Sequence, residues 1–449
     1  MNKIIKLHKG LDIPIEGVAV NTVADARKGL DTVAVCPPDF IGYVPRVIVS
    51  ENDTVEVGTP LFVDKRNEAQ KITSPVSGKV VAVERGERRK LLSVKIENDG
   101  EFRSVAFEKA DIESMDAQKV IDIMNTAGIS AYLRQRPFDI VPDTSVQPRD
   151  IFISMFSTMP LAADYNIMLN GKEDYVKAGV KALSKIAPVY VGISPNQKAT
   201  FGEIDGAEVN VFEGANPAGN VGVQINNVKP VNKGEIVWTI SPEAVAVLGK
   251  LLTTGALDFI RRIAVAGSEV IDPQYCDTVA GASLKSLIEG KLKSKEHVRI
   301  INGNPLVGIP VAEDGFLSAF ATEVTAIPEG DDKHEVLGWI SPRTKEFSAN
   351  RSYLSWLLPK RKYNPDARIK GGERHIIMSG EYDKVFPMDI YAGYLVKAII
   401  AKDIDRMEEL GIYEVAPEDF AVAEFVDSSK LELQKIVREG LDFLRKELA

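Results

Sequence analysis

The side chains best suited to redox or metal chemistry are few in this 449-residue chain, and they are widely separated. An iron–sulfur cluster needs four thiolate ligands, whereas the only cysteines are Cys36 and Cys276. None of the four histidines has a partner at the H-x-x-x-H or a similar ligand spacing. We therefore expect reduced thiols in a cytoplasmic setting and structural or surface histidines. These histidines are His8, His297, His334 and His375.

A lysine on an exposed hairpin is the attachment point of biotinyl and lipoyl carriers, and Lys65 occupies roughly that position. The turn that follows it, Ser74-Pro75-Val76-Ser77-Gly78, resembles the Ser/Ala-Pro-x-x-Gly turn of those carrier domains. A carrier lysine normally lies between methionines, but Asp64 and Arg66 flank this one. We therefore expect a carrier-like fold without the covalently attached group.

The glycine-rich and acidic stretches do not predict a nucleotide site or a catalytic pair. No G-x-G-x-x-G sequence follows a predicted strand, and no Lys-Ser or Lys-Thr follows the loop from Gly214 to Gly219. The acidic groups at Asp331-Asp332 and between Asp403 and Glu409 fit solvated faces better than paired acid–base chemistry. Phosphate or NADH binding by this chain is not expected, and no catalytic or metal-binding residue is predicted.

The bulk composition bounds what surrounds these residues. Apolar residues make up 45% and charged residues 27% of the chain, as in ordinary globular proteins. The net charge of −9 argues against a nucleic-acid partner, because nucleic-acid-binding domains are usually basic. We find no apolar run long enough for a membrane span and no signal peptide at the start. The length suggests roughly three domains at about 150 residues each.

Two different patterns divide the first 259 residues. Residues 1–100 carry alternating valines interrupted by Gly and Asn-Asp turns, which predicts short strands and hairpins in an all-β domain. Residues 101–259 alternate strand and helix patterns, which predicts a largely parallel sheet covered by helices. Such sheets bind ligands beyond the carboxyl ends of their strands. The predicted strands are Ile151–Met155, Tyr165–Leu169 and Val189–Ile193, and a helix is predicted from Asp174 to Ile186.

The stretch from Glu235 to Val270 joins two modules without a linker. Ile236–Ile240 reads as a buried strand, and Ser241 as the N-cap of a helix that Gly255 ends. Ile263–Val265 follows at once as another strand, so we expect rigid coupling.

The last two segments differ in their patterns. Residues 260–330 read as a small mixed module, whereas helical patterns dominate residues 331–449. Asp389 can cap one of the C-terminal helices, and the apolar stripe of the last helix predicts a core-facing side. The mixed module has strands at Arg262–Ala266, Val298–Ile301 and Phe316–Ala321 and a helix from Ser283 to Leu287.

Several motifs in their order along the chain together carry a resemblance. The chain resembles the NqrA family, the A subunits of sodium-translocating NADH:quinone oxidoreductases, over essentially its full length. The resemblance implies a barrel-sandwich hybrid at 1–100, a Rossmann-like domain at 101–259, a soluble-ligand-binding β-grasp (SLBB) module at 260–330 and a helical domain at 331–449. The motifs are Lys9–Ile15, Ser74–Gly78, Arg136-Pro137-Phe138, Trp238–Leu248, Gly338-Trp339 and Val385–Asp389.

The family is in turn similar to the flavin subunit of respiratory complex I and to the C subunit of Rnf complexes, and the departures are informative. Those relatives bind a flavin phosphate on a glycine-rich loop, but the matching stretch Gly128–Phe138 keeps one glycine and places bulky Tyr132 and Leu133 there. They also hold an iron–sulfur cluster by Cys-x-x-Cys spacing, and Glu424–Lys430 contains no cysteine. We expect that this chain binds no redox cofactor of its own.

The resemblance implies a peripheral subunit on the cytoplasmic side of the bacterial inner membrane. Its partners would be the other subunits of the complex, B to F, the membrane-embedded B subunit foremost. These partners hold FAD, covalent FMN, riboflavin and a [2Fe–2S] cluster. The complex would oxidise NADH and reduce a quinone while it pumps sodium outward, and NqrA proteins are associated in this family with the quinone end.

A quinone ring needs a flat, apolar slot with one or two donors to its carbonyl groups. Two stretches offer such groups, one with Arg134, Arg136 and Phe138 and the other with Phe40 and Tyr43. Either can equally be core packing or an anchor on a sister subunit, because aromatic and arginine residues are also typical of interfaces.

Other roles for the whole chain remain open. It could be a stand-alone flavin-dependent quinone reductase, a carrier protein or an adaptor without a small-molecule site. The basic clusters Arg88-Arg89-Lys90 and Lys360-Arg361-Lys362 fit solvated turns, or contacts with anionic headgroups or a membrane subunit.

Overall fold

A computed structural model of the protein describes residues 2–333, 343–351, 353–376 and 379–448. In these ranges the strands, numbered β1 to β19 in chain order, are Lys3–Lys6, Val20–Asp25, Thr32–Val35, Pro45–Val47, Thr54–Val55, Pro60–Asp64, Lys71–Thr73, Gly78–Arg85, Leu91–Asn98, Arg134–Arg136, Asp150–Ser154, Val189–Ile193, Ala207–Glu213, Val237–Thr239, Ile260–Ala266, Gln274–Val279, Val298–Asn302, Ile309–Pro310 and Glu323–Pro328. The helices α1 to α11 are Ala117–Ala127, Tyr165–Met168, Glu173–Leu183, Lys198–Phe201, Val221–Val228, Pro242–Thr254, Leu284–Ile288, Ala392–Ala401, Ile404–Glu409, Ala421–Val426 and Leu433–Glu447.

A six-stranded sheet in the order β1-β13-β12-β11-β14-β10 forms the centre of the α/β region. All neighbouring pairs are parallel except the edge pair of β10 with β14. The predicted parallel sheet is confirmed, and so are its strands β11 and β12 and its helix α3. Strands β12 and β13 lie on one side of β11, and β14, the next strand in the chain, lies on its other side. A ligand is therefore expected at the carboxyl ends of β11 and β14, where the strand order reverses.

Tyr165–Leu169, predicted as a strand, is instead the short helix α2, and this prediction is wrong. Asp164 caps the helix, since its side chain accepts a hydrogen bond from the backbone N–H of Asn166 at 2.8 Å. A short apolar run does not by itself distinguish a strand from a buried helical turn, and here the local cap decides. The sequence analysis does not predict strand β13 of this sheet or helix α5, which follows it in the chain.

The N-terminal all-β prediction is confirmed for residues from β3 onward. A four-stranded sheet, β3-β9-β8-β5, faces a three-stranded sheet, β4-β6-β7, around a common apolar core. The first two strands lie elsewhere, because β1 pairs with β13 and β2 pairs with β16. Lys65 is exposed on the hairpin between β6 and β7.

The third sheet has the order β18-β17-β19-β15-β16-β2 and is mostly antiparallel. Strands β15 and β17 and helix α7 are confirmed, whereas β16 and β19 were not predicted. The predicted strand at Phe316–Ala321 is wrong, since Phe316 forms only an isolated bridge with Ser283 and the following residues turn. Glu323–Pro328, directly after it, supplies the strand at this place.

The junction at Glu235–Val270 has the predicted elements. Strand β14 leads into α6, whose first turn is capped by the Ser241 hydroxyl, which accepts a hydrogen bond from the backbone N–H of Ala244 at 3.3 Å. Gly255 ends the helix in the left-handed conformation at φ +75°. Strand β15 begins five residues later, and its Arg261 forms an ion pair with Glu243 of α6 at 2.9 Å.

Helices α8 to α11 pack around their own apolar cluster, which confirms the helical prediction from Ala392 onward. For residues 331–391 the prediction is wrong, because the described residues of this range contain no α-helix and only the 3₁₀ segments Leu354–Leu357 and Ser379–Lys384. The stripe on α11 faces this core, with Leu433, Val437, Leu441 and Leu444 fully buried. The prediction that Asp389 caps a helix is wrong, because α8 begins at Ala392 and Tyr391 occupies the cap position.

His334 and the Gly338-Trp339 motif lie outside the described residues. Among the residues described, no helix combines the length and the apolar character needed to cross a bilayer.

Candidate functional site

Four aromatic side chains meet where the N-terminal β domain, the α/β region and the third sheet come together. The Tyr132 ring is the hub, with centroid distances of 5.8 Å to Phe40, 5.7 Å to Phe320 and 6.1 Å to Phe259. Phe40 and Phe320 also touch edge to face at 5.5 Å. Distances and tilts of this kind are favourable for aromatic pairs. We call these four residues the aromatic cluster.

Each ring is held by a different element. Tyr132 ends the 3₁₀ turn Ile129–Tyr132, which follows α1 directly because Gly128 takes the left-handed conformation at φ +80°. Phe40 follows the 3₁₀ turn Pro37–Asp39, and Phe259 precedes β15. Phe320 lies in the turn that the sequence pattern predicts as a strand. The cluster therefore exists only when three regions of the chain are assembled.

Arg134 connects the two stretches that the sequence offers as alternatives. Its guanidinium carbon lies 3.8 Å from the centre of the Phe320 ring, and its Nη2 donates to the backbone carbonyl of Asp39 at 2.7 Å. Its Nη1 is buried and has no hydrogen-bond partner among the residues that the structure describes. Burial lowers the pKa of Arg134 from its usual value, but a guanidinium stays charged at any physiological pH. The group is thus a fixed cation with a spare donor beside an aromatic face.

The carboxylate of Asp39 fixes the loop that carries Phe320. It accepts a hydrogen bond from the backbone N–H of Ala319 at 2.7 Å. Burial raises the pKa of Asp39, and the hydrogen bond from Ala319 opposes that shift. The side chain and the carbonyl of one residue therefore position both Phe320 and Arg134.

A cavity of about 50 Å³ opens beside the aromatic cluster at the start of α6. Glu243 and Arg261 line it and pair with each other, while Glu243 Oε1 and Arg261 Nε have no hydrogen-bond partner in the described part of the chain. Burial raises the pKa of Tyr132 to about 12, so its hydroxyl stays protonated and can donate. The cavity lies beyond the carboxyl end of β14, where open α/β sheets bind ligands. The remaining lining residues are Ile129, Ser241, Ala244, Val247, Ala280 and Ala319.

This arrangement offers flat apolar faces with a few polar groups, which suits a planar ring bearing carbonyl oxygens. Tyr132 is a donor that lines the cavity, and Phe320 and Phe259 supply ring faces. Arg134 does not line the cavity, but it contacts Phe320 and holds a second donor nearby. Ligand sites usually measure about 300 to 1,000 Å³, so a ring of that type enters this cavity only if a side chain such as Phe320 moves. The chemistry that the groups support is binding and orientation.

Arg136 and Phe138 lie on the C-terminal side of the aromatic cluster. Arg136 is fully buried and pairs with Asp139 at 2.7 Å and with Glu418 at 3.2 Å. Phe138 packs against the C-terminal apolar cluster, and its carbonyl accepts a hydrogen bond from Arg438 at 2.6 Å. Both residues join the α/β region to the helical region.

Burial also shapes the charges around Asp139. Burial alone would raise the pKa of Asp139, but Arg136, Arg134 and Arg438 outweigh it and hold that pKa below its usual value. A charged network therefore runs from Arg134 to the C-terminal helices.

Tyr43 lies on another side of the N-terminal β core. Its hydroxyl donates to the backbone carbonyl of Gln70 at 3.0 Å, and burial raises its pKa. The structure thus brings Phe40 and Arg134 together but keeps Tyr43, Arg136 and Phe138 out of the aromatic cluster.

The stretch that corresponds to a flavin-phosphate loop does not fit a phosphate. The backbone of Arg134–Arg136 pairs with β14, and the amide of Leu133 donates to Ser130 at 3.2 Å. Leu133 is fully buried, and the ring of Tyr132 packs against Phe320. Few amides remain to approach a phosphate closely, which is what such loops require.

The stretch that corresponds to a cluster-binding segment does not fit iron and sulfur either. Buried Asp427 accepts hydrogen bonds from the amides of Ser429 at 3.0 Å and Leu431 at 2.9 Å. Burial raises the pKa of both Cys36 and Cys276 to about 12, so neither thiol is an easily formed thiolate ligand.

Sequence reasoning missed Phe259, Phe320, Glu243 and Arg261 as members of one site. The sequence marks Tyr132 only as an obstacle to a phosphate. The sequence does carry one signal for this site: α6 and β15 follow each other without a linker, and this short connection brings Glu243 close to Arg261. No local signal marks Phe320, because only the tertiary fold brings it to Tyr132.

A second, larger cleft of about 810 Å³ separates the N-terminal β domain from α1 and α6. Lys71 and Lys119 lie on its rim near Asp111 and Asp116, and Pro60 and Leu251 contribute apolar surface. Its charges are mixed and largely exposed, so it does not select one class of ligand.

Three domain families match consecutive parts of the chain. They are described as the NqrA N-terminal barrel-sandwich hybrid domain at residues 5–99, the NqrA second alpha/beta domain at residues 115–257 and the NQRA C-terminal domain at residues 262–312. The matches follow the three architectures seen in the fold.

Full-length relatives share about a third of their residues with this chain. The A subunit of the Na(+)-translocating NADH-quinone reductase of Rhodopirellula baltica is 34% identical over 451 residues, which cover 99% of this chain and 98% of the relative. The protein of the same name from Yersinia pestis bv. Antiqua is 35% identical over 450 residues, with 99% and 100% coverage. The one from Alcanivorax borkumensis is 34% identical over 455 residues, with 99% and 100% coverage.

A similar solved structure resembles this chain only weakly. A chain in "Crystal structure of NAD+-reducing [NiFe]-hydrogenase in the H2-reduced state" gives a TM-score of 0.34 and 11% identity, covering 51% of this chain and 53% of that one. This similarity is too weak to support a structural or functional argument. Identity over the full length is decisive instead: the chain belongs to the NqrA family, the A subunits of Na(+)-translocating NADH-quinone reductases.

Proposed function

We propose that this chain is a subunit of the sodium-translocating NADH:quinone reductase that holds no redox cofactor itself and acts at the quinone end. In this proposal the aromatic cluster and Arg134 receive the quinone ring, with Tyr132 and Arg134 donating to its carbonyl oxygens. Electrons come from cofactors of the partner subunits, and the isolated chain is not catalytic.

One observation carries the quinone part of the proposal. The two stretches that offer rings and donors, around Phe40 and around Arg134, converge on the same ring, Phe320. A guanidinium stacked at 3.8 Å with a buried, unpartnered Nη1 is poised to donate to an incoming oxygen. Such a donor left without a partner is costly unless a ligand or water satisfies it.

The absence of a flavin of its own is supported by the same loop. In the relatives of this fold that bind flavin, a glycine-rich loop leaves backbone amides free for the phosphate. Here those positions form an edge strand with β14 and a filled aromatic contact. A stand-alone flavin-dependent quinone reductase is therefore less well supported than a subunit that lends a quinone pocket.

The finer assignments follow from the family. We propose that the α/β region is a Rossmann-like domain, that the third sheet is an SLBB module and that subunits B to F are the partners, with the membrane-embedded B subunit in direct contact. FAD, FMN, riboflavin and the [2Fe–2S] cluster belong to those partners in this proposal. The chain lies on the cytoplasmic side of the membrane.

Binding of a soluble quinone analogue to the full-length chain tests the pocket. We expect saturable binding that weakens about tenfold or more in Arg134→Gln, because one charge-assisted hydrogen bond contributes about 1.5 to 3 kcal/mol. Phe320→Ala should weaken binding as well, since it removes both a ring face and the contact that holds Arg134. Titration calorimetry or ligand-observed magnetic resonance measures both effects.

Arg406→Gln is the matched control, because Arg406 is a largely exposed arginine on α9. It should bind the analogue like the wild-type chain. Equal affinities of wild type, Arg134→Gln and Phe320→Ala would reject the pocket while leaving membership of the complex intact. Stoichiometric flavin in the purified chain would reject the cofactor-free part.

A further inference from the structure

The C-terminal region displays an apolar turn beside a basic cluster. Residues Leu354–Leu357 form a 3₁₀ turn, and Leu358 follows it. Leu354, Trp356, Leu357 and Leu358 are each 51 to 55% exposed, although they are large and apolar. Lys360-Arg361-Lys362 comes two residues later. We call Leu354–Leu358 the apolar turn and residues 360–362 the basic cluster.

Hydrogen bonds of Ser355 and Tyr363 attach the apolar turn to the rest of the fold. Ser355, its one inward residue, is buried, and its hydroxyl accepts a hydrogen bond from the backbone N–H of Ser348 at 3.0 Å. Tyr363, just after the basic cluster, is buried and bridges to the N-terminal segment, where its amide donates to Pro14 at 2.8 Å and its carbonyl accepts from Glu16 at 2.9 Å. The turn is therefore anchored at both ends while its apolar side chains project outward.

The charge around the turn is opposite to that of the chain as a whole. The described residues 343–351 and 353–362 contain six basic side chains and one acidic one, a net charge of +5 on a chain of net −9. The acidic residue, Glu346, is already paired with Arg343 at 3.0 Å and with Lys370 at 2.8 Å. The basic residues are Arg343, Lys345, Arg351, Lys360, Arg361 and Lys362.

Two ammonium groups of the basic cluster form no ion pair with the described residues. Arg361 is used within the fold, since its Nη1 donates to the carbonyl of Thr344 at 3.1 Å and its guanidinium lies over Tyr363. Lys360 and Lys362 are largely exposed and form no ion pair with any described residue. Arg351 lies over the Trp356 ring at 5.6 Å, which adds a further cation beside the indole.

We propose that the apolar turn and the basic cluster form a docking element for an anionic lipid surface. Leucine and tryptophan enter the headgroup boundary, where tryptophan is favoured, and lysines beside them attract anionic headgroups. The element is a projecting turn rather than a groove, so it fits a flat, deformable surface without shape complementarity. It would hold the chain against the bilayer next to its membrane partners.

This inference stands apart from the quinone pocket, because lipid vesicles without quinone or partner subunits test it. The full-length chain is mixed with phosphatidylcholine vesicles that do or do not contain phosphatidylglycerol, and bound protein is measured by flotation. We expect binding to the anionic vesicles only, lost when salt reaches about 1 M, where the Debye length is about 3 Å.

Two variants test the named residues. Lys360→Glu/Lys362→Glu should weaken binding to the anionic vesicles about tenfold or more, because each basic side chain near such a surface contributes about a factor of five to the affinity. The same charge change at the other basic cluster, Arg88→Glu/Lys90→Glu on the β8–β9 hairpin, should leave binding unchanged. A blue shift of tryptophan fluorescence on binding should disappear in Trp356→Phe, which keeps an apolar ring at this position.

Three results would overturn the proposal. One is failure of the wild-type chain to bind anionic vesicles at low salt. Another is an equal loss of binding in both charge variants, which would show that the vesicles attract basic residues in general and not this docking element. The last is binding that appears only when the integral membrane subunits are in the vesicles, which would make a protein the receptor.

Discussion

Two arginines that are two residues apart on β10 have different roles, and their surroundings explain why. Residues at this spacing share one face of a strand, and the carboxylate of Asp139 interacts with both Arg134 and Arg136. Arg134 extends toward Phe320, whereas Arg136 extends toward Glu418 of the helical region. The residue types alone predict a site near this strand, but they do not show which arginine stacks on an aromatic ring and which one joins two regions.

The carboxylates of Glu418 and Asp419 make this junction sensitive to pH. The densely packed surroundings of its carboxyl group and the neighbouring Asp419 raise the pKa of Glu418 from 4.5 to about 7, although 42% of the side-chain surface is exposed. A raised carboxyl pKa means that the folded chain holds a proton that the unfolded chain has lost. The resulting stabilisation is complete below about pH 4.5 and disappears as the pH rises through about 7.

We therefore predict that Glu418→Gln flattens this part of the pH dependence. The wild-type chain should lose stability between about pH 4.5 and about pH 7, and the variant should lose less. The expected difference is below about 1 kcal/mol, because the Glu418 side chain is 42% exposed and solvent screens its interactions. Urea unfolding at several pH values measures it, with the exposed Glu409→Gln as control. Parallel pH profiles of wild type and Glu418→Gln would contradict the assignment.

Helices α3 and α6 show how closely two elements approach to support the sheet. A Cβ at Gly179 would overlap the carbonyl of Val245, and one at Gly249 would overlap the carbonyl of Tyr175. The sequence predicts both helices, but it does not reveal that glycines set the distance between them. The N-terminal turn of α6 lines the cavity, so this packing also positions Glu243.

We predict that Gly249→Ala destabilises the chain by about 1 to 3 kcal/mol, the usual cost of forcing an extra carbon into a packed contact. The added Cβ meets backbone of α3 rather than a flexible side chain, so the helices must separate. Thermal or chemical unfolding measures the loss. Gly29→Ala is the control, because a Cβ at Gly29 meets no atom within 4 Å and should change little. Equal stability of both variants would show that the α3–α6 contact yields without cost.

The elements also show the limit of local sequence patterns. The sequence predicts the helix α6 and its caps from Ser241 and Gly255, whose preferences are local and strong. Tyr165–Leu169 and Phe316–Ala321 were misassigned because short apolar runs fit either a strand or a turn. The second error mattered more, since it placed Phe320 in a sheet instead of in the loop that completes the aromatic cluster.

At the scale of the whole molecule, the first two strands of the chain pair with sheets of other regions and so join those regions together. Strand β1 completes the α/β sheet beside β13, and β2 completes the third sheet beside β16. One apolar cluster contains residues of both the N-terminal β domain and the third sheet, Val33 and Leu317 among them. The sequence reveals each pattern but not these pairings, because strand partners distant in sequence leave no local signal.

Because β1 and β2 pair with sheets of other regions, we predict that the chain stays associated after its backbone is cut between the first two regions. Gly100 lies in an exposed turn, and a Cβ there would meet no other atom within 4 Å, so a specific protease site fits at this position. After cleavage, residues before Gly100 should remain bound through β1, β2 and the shared core, because separating them would expose two sheet edges and apolar surface. Size-exclusion chromatography of the cut protein should show a single peak at the native volume with both fragments in it. Separate elution of the fragments without denaturant would show that the first hundred residues form an independent domain, and the aromatic cluster, which needs Phe40 beside Tyr132, would then be a contact between mobile parts.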